Sequence, residues 1–524
     1  MFHSILFPSE EQVLPPSGGV FLDYVKDLYL DQIIDPILNN RKDFELESFY
    51  YSPLRDEETI MYRQRVTRDL ENERTRHLIA TFSKSINDVS RSMREVQKAL
   101  TSKQSYENNY LTKGRLLDDA DRYCIALTNV LRDMQDCPLS SEGMQNFVGF
   151  LAHYFHSEEF GELFNHVKRL REEFSKVEYC MYIKGVTVHV RKYEGQEDLS
   201  KDILRLFEKF RQGDVKDYRN QLSEEPSAHH VEAAVLDMVA TWYKDIFEDL
   251  DDFCNYHVKF MDETIVRFSQ EVQFYLSWWD YIHPLQQKGL PFCYPMLSPS
   301  AGHLYAQHFF DLALASKMHS NGTPVTNDFS LTDPEHIIVV TGPNQGGKTT
   351  FARAFGQVHY LAALGLCIPG SEAQLLLFDK ILTHFWREED LSTLNGKLQD
   401  DLLRLFHLLE QASAQSVIII NEIFASTTLS DAILLGNRMM DSIAKIGAPT
   451  VCVTFIDELA QHGVETVSMM STVKQEDPTI KTYKIIRKPP DGLAYAMHLA
   501  GKHGLTYDQL CGRLQDSTQR GRLG

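Results

Sequence analysis

GPNQGGKT, residues Gly342 to Thr349, lies between the apolar run IIVV (337–340) and the helix-compatible stretch FARAFGQVHYLAALG (351–365). It satisfies the pattern G-x-x-x-x-G-K-[ST] in the strand–loop–helix setting that gives the pattern its meaning. Gly342, Gly346 and Gly347 leave the backbone free to wrap phosphate oxygens with N–H groups at the positive end of the following helix. Lys348 supplies a point charge between two phosphates, and the hydroxyl of Thr349 is placed to coordinate Mg²⁺. Pro343, Asn344, Gln345 and Thr350 complete the candidate phosphate-binding set. The expected ligands are ATP and Mg²⁺.

A loop of this kind needs an acidic strand end beside it, and SVIIINEIFAS (416–426) supplies one, with a strand pattern that ends in Asn421 and Glu422. A carboxylate there orients or deprotonates an attacking water, which makes Glu422 the catalytic candidate together with Lys348. Asn421 stands where an aspartate normally holds the metal's water shell. Its amide oxygen still accepts a hydrogen bond but brings no negative charge, so weaker metal binding through Thr349 and Asn421 is expected.

The rest of the chain is read outward from that centre. Its 524 residues suggest roughly three or four domains. With 43% hydrophobic and 24% charged residues the chain belongs to the globular class. No apolar run approaches the ~20 residues of a membrane helix, and MFHSILFPSEEQ (1–12) lacks the basic and apolar regions of a signal peptide, so a cytoplasmic protein with no membrane association is expected. The eight cysteines stand singly, without the paired spacing of a zinc or redox site. A net charge of −20 argues against non-specific coating of nucleic acid, so any DNA site must be a local basic patch.

Toward the N-terminus, FLDYVKDLYLDQII (21–34) and HLIATFSKSINDVSRSMREVQKAL (77–100) carry helical periodicity. CMYIKGVTVHVRKYEG (180–195) switches to period two, a short strand inserted among helices. From Leu236 to Tyr275 an apolar stripe steps by three and four, one residue out of register at Ile265, and predicts a single helix of about 40 residues that ends before His283-Pro284. Beyond a boundary loop, HLYAQHFFDLALA (303–315) and HIIVVTGPN (336–344) read as strands, and helix then alternates with strand as in a parallel α/β sheet.

These residues resemble the MutS family. TGPNQGGKTTFARAF (341–355) is similar to its phosphate loop, and GLCIPG (365–370) with FDKILTHFWREEDL (378–391) to the stretch that follows. NEIFASTTLSDA (421–432) places Asn421, Glu422 and Asp431 on the family's acidic positions, VTFIDELA (453–460) falls on its switch segment, and DGLAYAMHLAGKHGL (491–505) resembles its tail. The resemblance is specific over about residues 320 to 510. It implies a multidomain protein in which a mainly α-helical core, lever and clamp region precedes an α/β ABC-type P-loop ATPase domain, acting as a dimer that closes on DNA. The implied boundaries are a helical core over 1–110, a lever and clamp-like region with a short strand insert over 111–230, a long lever helix over 231–284, and the ATPase domain with a helical tail over 285–524. By the same resemblance Asn327, in PVTND, contacts adenine, while Ser392 and Thr393, in LSTLNGK, reach the partner subunit's γ-phosphate. Phe455 takes the place of a γ-phosphate-sensing histidine and cannot hydrogen-bond; Asp457 is the nearby substitute. Asn421 and Phe455 together point to slow hydrolysis.

The family's mismatch readers use a Phe-x-Glu wedge. The Phe160-Gly161-Glu162 of this chain lies in a helical, acidic segment and reads as structural, so direct mismatch recognition is not expected. The stretch 180–220 is the most basic, and Lys184, Arg191 and Lys192 are its candidate DNA contacts, against the alternative of a solvated charged surface. Two functions follow: a nucleotide-gated, homodimeric clamp on double-stranded or branched DNA without mismatch reading, or a nucleotide-gated protein that grips a protein partner instead.

Overall fold

A computed structural model describes residues 2–9, 23–101, 110–185, 187–196, 226–318, 322–386, 396–424, 426–474, 480–490, 505–507 and 509–511. The chain divides into two compact units. Unit 1 comprises Met1–Phe2, Asn72–Leu139 and Met144–Gln270; unit 2 comprises His3–Glu71, Ser140–Gly143 and Glu271–Gly524.

Unit 1 is helical, with helices Glu73–Thr101, Tyr110–Met134, Glu142–Phe155 and Glu158–Phe174. Its core is aromatic: Phe147 and Phe268 stack with centroids 3.4 Å apart, and Phe2 and Phe82 pack around them. Phe160 is buried against Tyr154 and Phe155, in keeping with its structural reading. A hairpin of β1 (Tyr179–Lys184) and β2 (Thr187–Lys192) packs through Val188 and Val190 on a cluster that includes Val235, Val239 and Phe247.

The expected long helix over 231–284 is three helices, Pro226–Trp242, Lys244–Tyr256 and Glu263–Gln287. Tyr243 leaves helical geometry at φ −123°, ψ 48°, and its hydroxyl donates to Glu178 O while accepting from Glu178 N–H. The second break coincides with the one-residue slip in the apolar stripe. There the Asp262 carboxylate accepts from the N–H groups of Thr264 and Ile265 and starts a new helix, while its own N–H donates to the Tyr123 hydroxyl. The third helix also runs past Pro284, because a proline near a C-terminus removes only one ladder bond. It stops at Gly289, in left-handed geometry at φ 82°, where Leu290 N–H closes back on Leu285 O.

Unit 2 is built on a six-stranded sheet in the order β10-β11-β12-β7-β13-β14: Ile381–Phe385, Val417–Asn421, Thr450–Val453, Ile337–Thr341, Thr466–Val473 and Lys481–Arg487. The first five strands are parallel and β14 closes the edge antiparallel. Every residue of β7, β11 and β12 is buried, the pattern of a sheet covered on both faces. A second sheet of β4 (Met296–Ser298), β9 (Glu372–Leu376), β5 (His303–Phe309) and β6 (Asn327–Thr332) is mixed, and β3 (Phe292–Cys293) pairs with β8 (Ile368–Pro369). The stretch DLALA, expected as strand, is the helix Leu312–Lys317, because Asp311 caps it by accepting from Leu314 N–H.

The helix Lys348–Ala363 is buried nearly all round, so it needs cover on two sides. The sheet gives one side. The other is residues 23–71, which therefore fold into unit 2 and do not form a separate core with 72–110. Gln357 donates to Leu28 O and Asp311, Arg353 to Asp27 O, and Tyr360 to Tyr50 O. Gly356 is required there, since a Cβ would lie 2.6 Å from the Leu28 side chain. The buried Arg63 donates to Leu6 O and Leu364 O between the rings of Phe7 and Phe274. Most of the expected C-terminal tail lies outside the described residues. No helix among the described residues is long and apolar enough to cross a membrane.

Asp69 explains why Ser140–Gly143 joins unit 2: its two carboxylate oxygens accept from both the backbone N–H and the hydroxyl of Ser140 and Ser141, at 2.6 to 2.9 Å. Asp69→Ala strands these partly buried donors and is expected to cost about 3 kcal/mol, read as a fall in the urea unfolding midpoint.

Candidate functional site

The glycine loop leaves β7 at the carboxyl edge of the parallel strands, where ligands of open α/β sheets bind. Its path is sharply folded, with Gly342 at φ 111°, Gln345 at 58° and Gly347 at 92° before the helix begins at Lys348. Two glycines are dictated by packing. A Cβ on Gly342 would lie 2.9 Å from Ser471 O, and one on Gly346 would run into the Ser471 side chain and approach Pro343 O at 2.9 Å. Ser471, on β13, holds the loop with a 2.6 Å bond from its hydroxyl to Gly346 O. Pro343 and Gly346 are buried, Asn344 and Gln345 exposed, and Thr349 and Thr350 half-buried in the first helical turn.

Lys348 is 4% exposed, and its ammonium donates to Gly342 O at 2.8 Å and Pro343 O at 3.2 Å. Burial pulls its pKa below the usual lysine range, the charges of Glu422 and Asp457 pull it back up, and Lys481 pushes it down. These three charged groups therefore face the loop lysine. Thr349 Oγ1 donates to Asn421 Oδ1 at 2.9 Å, so the loop and the end of β11 meet through the two residues expected to share a metal.

Glu422 follows Asn421 at φ 56°, a left-handed value uncommon for a residue with a side chain, and its N–H donates to Val453 O. Phe424, at φ 57°, is buried in the core, so the turn is held from below while the Glu422 side chain remains exposed. Asp431 does something else: with Thr428 it forms a reciprocal cap on the helix Leu429–Ile446. Phe455 lies just beyond β12 and is 50% exposed.

The Asn327 amide is committed to backbone: its oxygen accepts from Ile485 N–H at 2.7 Å and its nitrogen donates to Tyr483 O at 3.3 Å, pinning β6 to β14. Tyr483, at φ 59° and 51% exposed, lies 3.7 Å from the position of a Cβ on Gly347. Neither Ser471 nor Tyr483 was marked by the sequence, since a lone hydroxyl or ring on a strand carries no motif. Ser392 and Thr393 lie outside the described residues. Lys184 and Arg191 are exposed on the hairpin of unit 1, and the Lys192 ammonium lies 5.3 Å from the Tyr243 ring centroid. The other cations of the 180–220 stretch, from Arg205 to Arg219, are outside the described residues. A cleft of about 770 Å³ bounded by Tyr305, His308, Asp328, Glu372 and Arg487 contains no residue of the glycine loop.

Residues 338–509 match the family model for MutS domain V. Over this region the chain is similar to the MutS family. It is 30% identical over 190 residues to the DNA mismatch repair protein MutS of Shouchella clausii, 35% of this chain and 22% of that protein. It is 28% identical over 207 residues to the MutS of Caldicellulosiruptor saccharolyticus, 38% of this chain and 24% of that one. Against the Endonuclease MutS2 of Lacticaseibacillus casei it is 27% identical over 184 residues, 34% of this chain and 23% of the relative. The match thus spans under a quarter of the length of these relatives.

Within the MutS-type region, Gly342→Ala combines a left-handed backbone with a collision against Ser471 O. It is expected to destabilise unit 2 by about 1–3 kcal/mol, seen as a lower thermal midpoint, whereas Gly396→Ala, in open space, leaves the midpoint within a degree or so.

Proposed function

We propose that this chain binds ATP with Mg²⁺ at the glycine loop, hydrolyses it slowly, and uses the nucleotide state to gate a dimeric clamp on DNA without reading mismatches. The observation that carries the reading is the junction of Thr349 with Asn421 beside the buried ammonium of Lys348. Backbone N–H groups from Gly347 to Thr350 cradle the phosphates, and Lys348 exchanges its loop carbonyls for phosphate oxygens. The Tyr483 ring, set by Asn327, offers a face to the adenine.

The metal fits this donor set. A hydroxyl and an amide oxygen, 2.9 Å apart, are hard oxygen ligands suited to Mg²⁺ and its retained waters. When bound, Mg²⁺ neutralises charge on the phosphate oxygens. With no carboxylate at position 421, the metal is held more weakly than an aspartate would hold it. Glu422 orients and deprotonates the attacking water, and its exposure beyond the strand end leaves it reachable from solvent. Phe455 contributes nothing polar, so Asp457 carries what remains of γ-phosphate sensing.

The DNA and dimer parts of the reading rest on the similarity to MutS and MutS2 proteins. The −20 net charge favours the rival, a protein-gripping machine. Three measurements separate the possibilities. Lys348→Ala is expected to lose ATP affinity by about 100-fold; Glu422→Ala is expected to keep affinity and lose turnover by about 100-fold or more. Turnover rises with duplex or junction DNA at low salt. Absence of ATP binding by the parent chain with Mg²⁺ ends the reading, and ATPase activity indifferent to DNA transfers it to the protein-partner alternative. Asn421→Asp is expected to lower the Mg²⁺ concentration for half-maximal turnover several-fold.

A further inference from the structure

The β1–β2 hairpin of unit 1 has two unlike faces. Its register pairs Met181 with Val190 and Tyr182 with His189. Val190 is buried and Val188 packs on the same cluster, so one face belongs to the core. Alternation places Cys180, Tyr182, Lys184, Thr187, His189 and Arg191 on the other. On that outer face the Tyr182 and His189 rings lie within 11° of parallel with centroids 4.9 Å apart, and the Arg191 guanidinium carbon is 5.6 Å from the Tyr182 centroid. Tyr182 is 41% exposed, and Lys184 and Arg191 are exposed as well. Residues 179–192 hold Lys184, Arg191 and Lys192 and no Asp or Glu, within a chain of net charge −20. The valine face already anchors the hairpin, so the outward stack with its cations is surface open to a ligand.

We propose that this face binds single-stranded DNA, with an unpaired base extending the Tyr182–His189 stack and the adjoining phosphates meeting Arg191 and Lys184. A duplex keeps its base faces inside its own stack and shows a protein its backbone and groove edges, so stacked rings select unpaired nucleotides, whereas cations alone do not. An acidic peptide satisfies the cations but leaves the rings unused. The inference deepens the DNA part of the function proposed above and rests on it; it does not depend on ATP turnover.

The test uses the full chain and three labelled probes read by fluorescence anisotropy at low salt: oligo(dT), the same strand with abasic sites, and a duplex of equal length. The parent chain should bind oligo(dT) roughly tenfold more tightly than the abasic strand, the size of one base–aromatic stack. Tyr182→Ala should erase that preference, Tyr182→Phe should retain it, and Arg191→Gln should weaken both single strands alike. Equal affinity of the parent for intact and abasic strands, or a preference that survives Tyr182→Ala, overturns the inference. ATP binding and thermal midpoints of the same preparations report folding and the glycine loop separately. Duplex binding without base preference therefore sinks the stacking site alone, failure to bind any probe sinks the DNA reading with it, and lost ATP binding with the base preference intact sinks only the motor.

Discussion

The closeness of the glycine loop to β13 is the constraint from which the rest of unit 2 follows. Gly342 and Gly346 stand where any side chain would meet Ser471, and the Ser471 hydroxyl fixes Gly346 O in return. A loop pressed so tightly against a neighbouring strand has its N–H groups pointed before any ligand arrives, and preorganised donors are worth more than flexible ones because no ordering cost falls at binding. The same contact makes β13 a necessary neighbour of β7, which places β12 and then β11 on its other side and brings Asn421 to Thr349. Sheet order and site geometry are one fact seen at two scales.

The helix after the loop extends that constraint into the N-terminal residues. Lys348–Ala363 is buried on nearly every side, so the sheet alone cannot cover it. Residues 23–71 complete its burial, and the contacts are specific: Gly356 admits Leu28, Gln357 bridges Leu28 O and Asp311, and the Tyr360 hydroxyl reaches Tyr50 O. A change in the loop's strain thus has a rigid route through one helix to residues some 300 positions earlier in the chain.

How much of this the sequence disclosed depends on whether a residue's role is local. Gly342, Lys348 and Thr349 were legible because loop chemistry and loop geometry select the same residues at fixed spacing, and Glu422 because a buried strand must end beside them. The three-helix course of 226–287 was not legible, since periodicity records a face and not a break: Tyr243 leaves helical geometry without a proline or glycine to mark it, and Asp262 caps a helix from within a charged stretch. The one-residue slip at Ile265 was the visible trace of that break. Ser471 and Tyr483 were silent because their importance arises entirely from which strands lie next to which. The apolar stripe of 21–34 announced a helix but could not name its partner.

Asn327 shows how a motif position can act at one remove. The resemblance assigns it to the base, yet its amide is used up on the backbone of β14, where Ile485 N–H and Tyr483 O take its two ends. An amide engaged in this way has little left to offer a ligand, but it fixes the register of β14 against β6 and, with it, the ring of Tyr483 beside Gly347. Pro324, three residues before Asn327, is buried and has no aromatic ring, so under the proposed function stacking on a base at this edge would fall to Tyr483. Stacking on a single ring discriminates poorly among bases, because every base has a π-face. Under the proposed function, the triphosphate contacts, more than the base, would then carry most of the binding at this site.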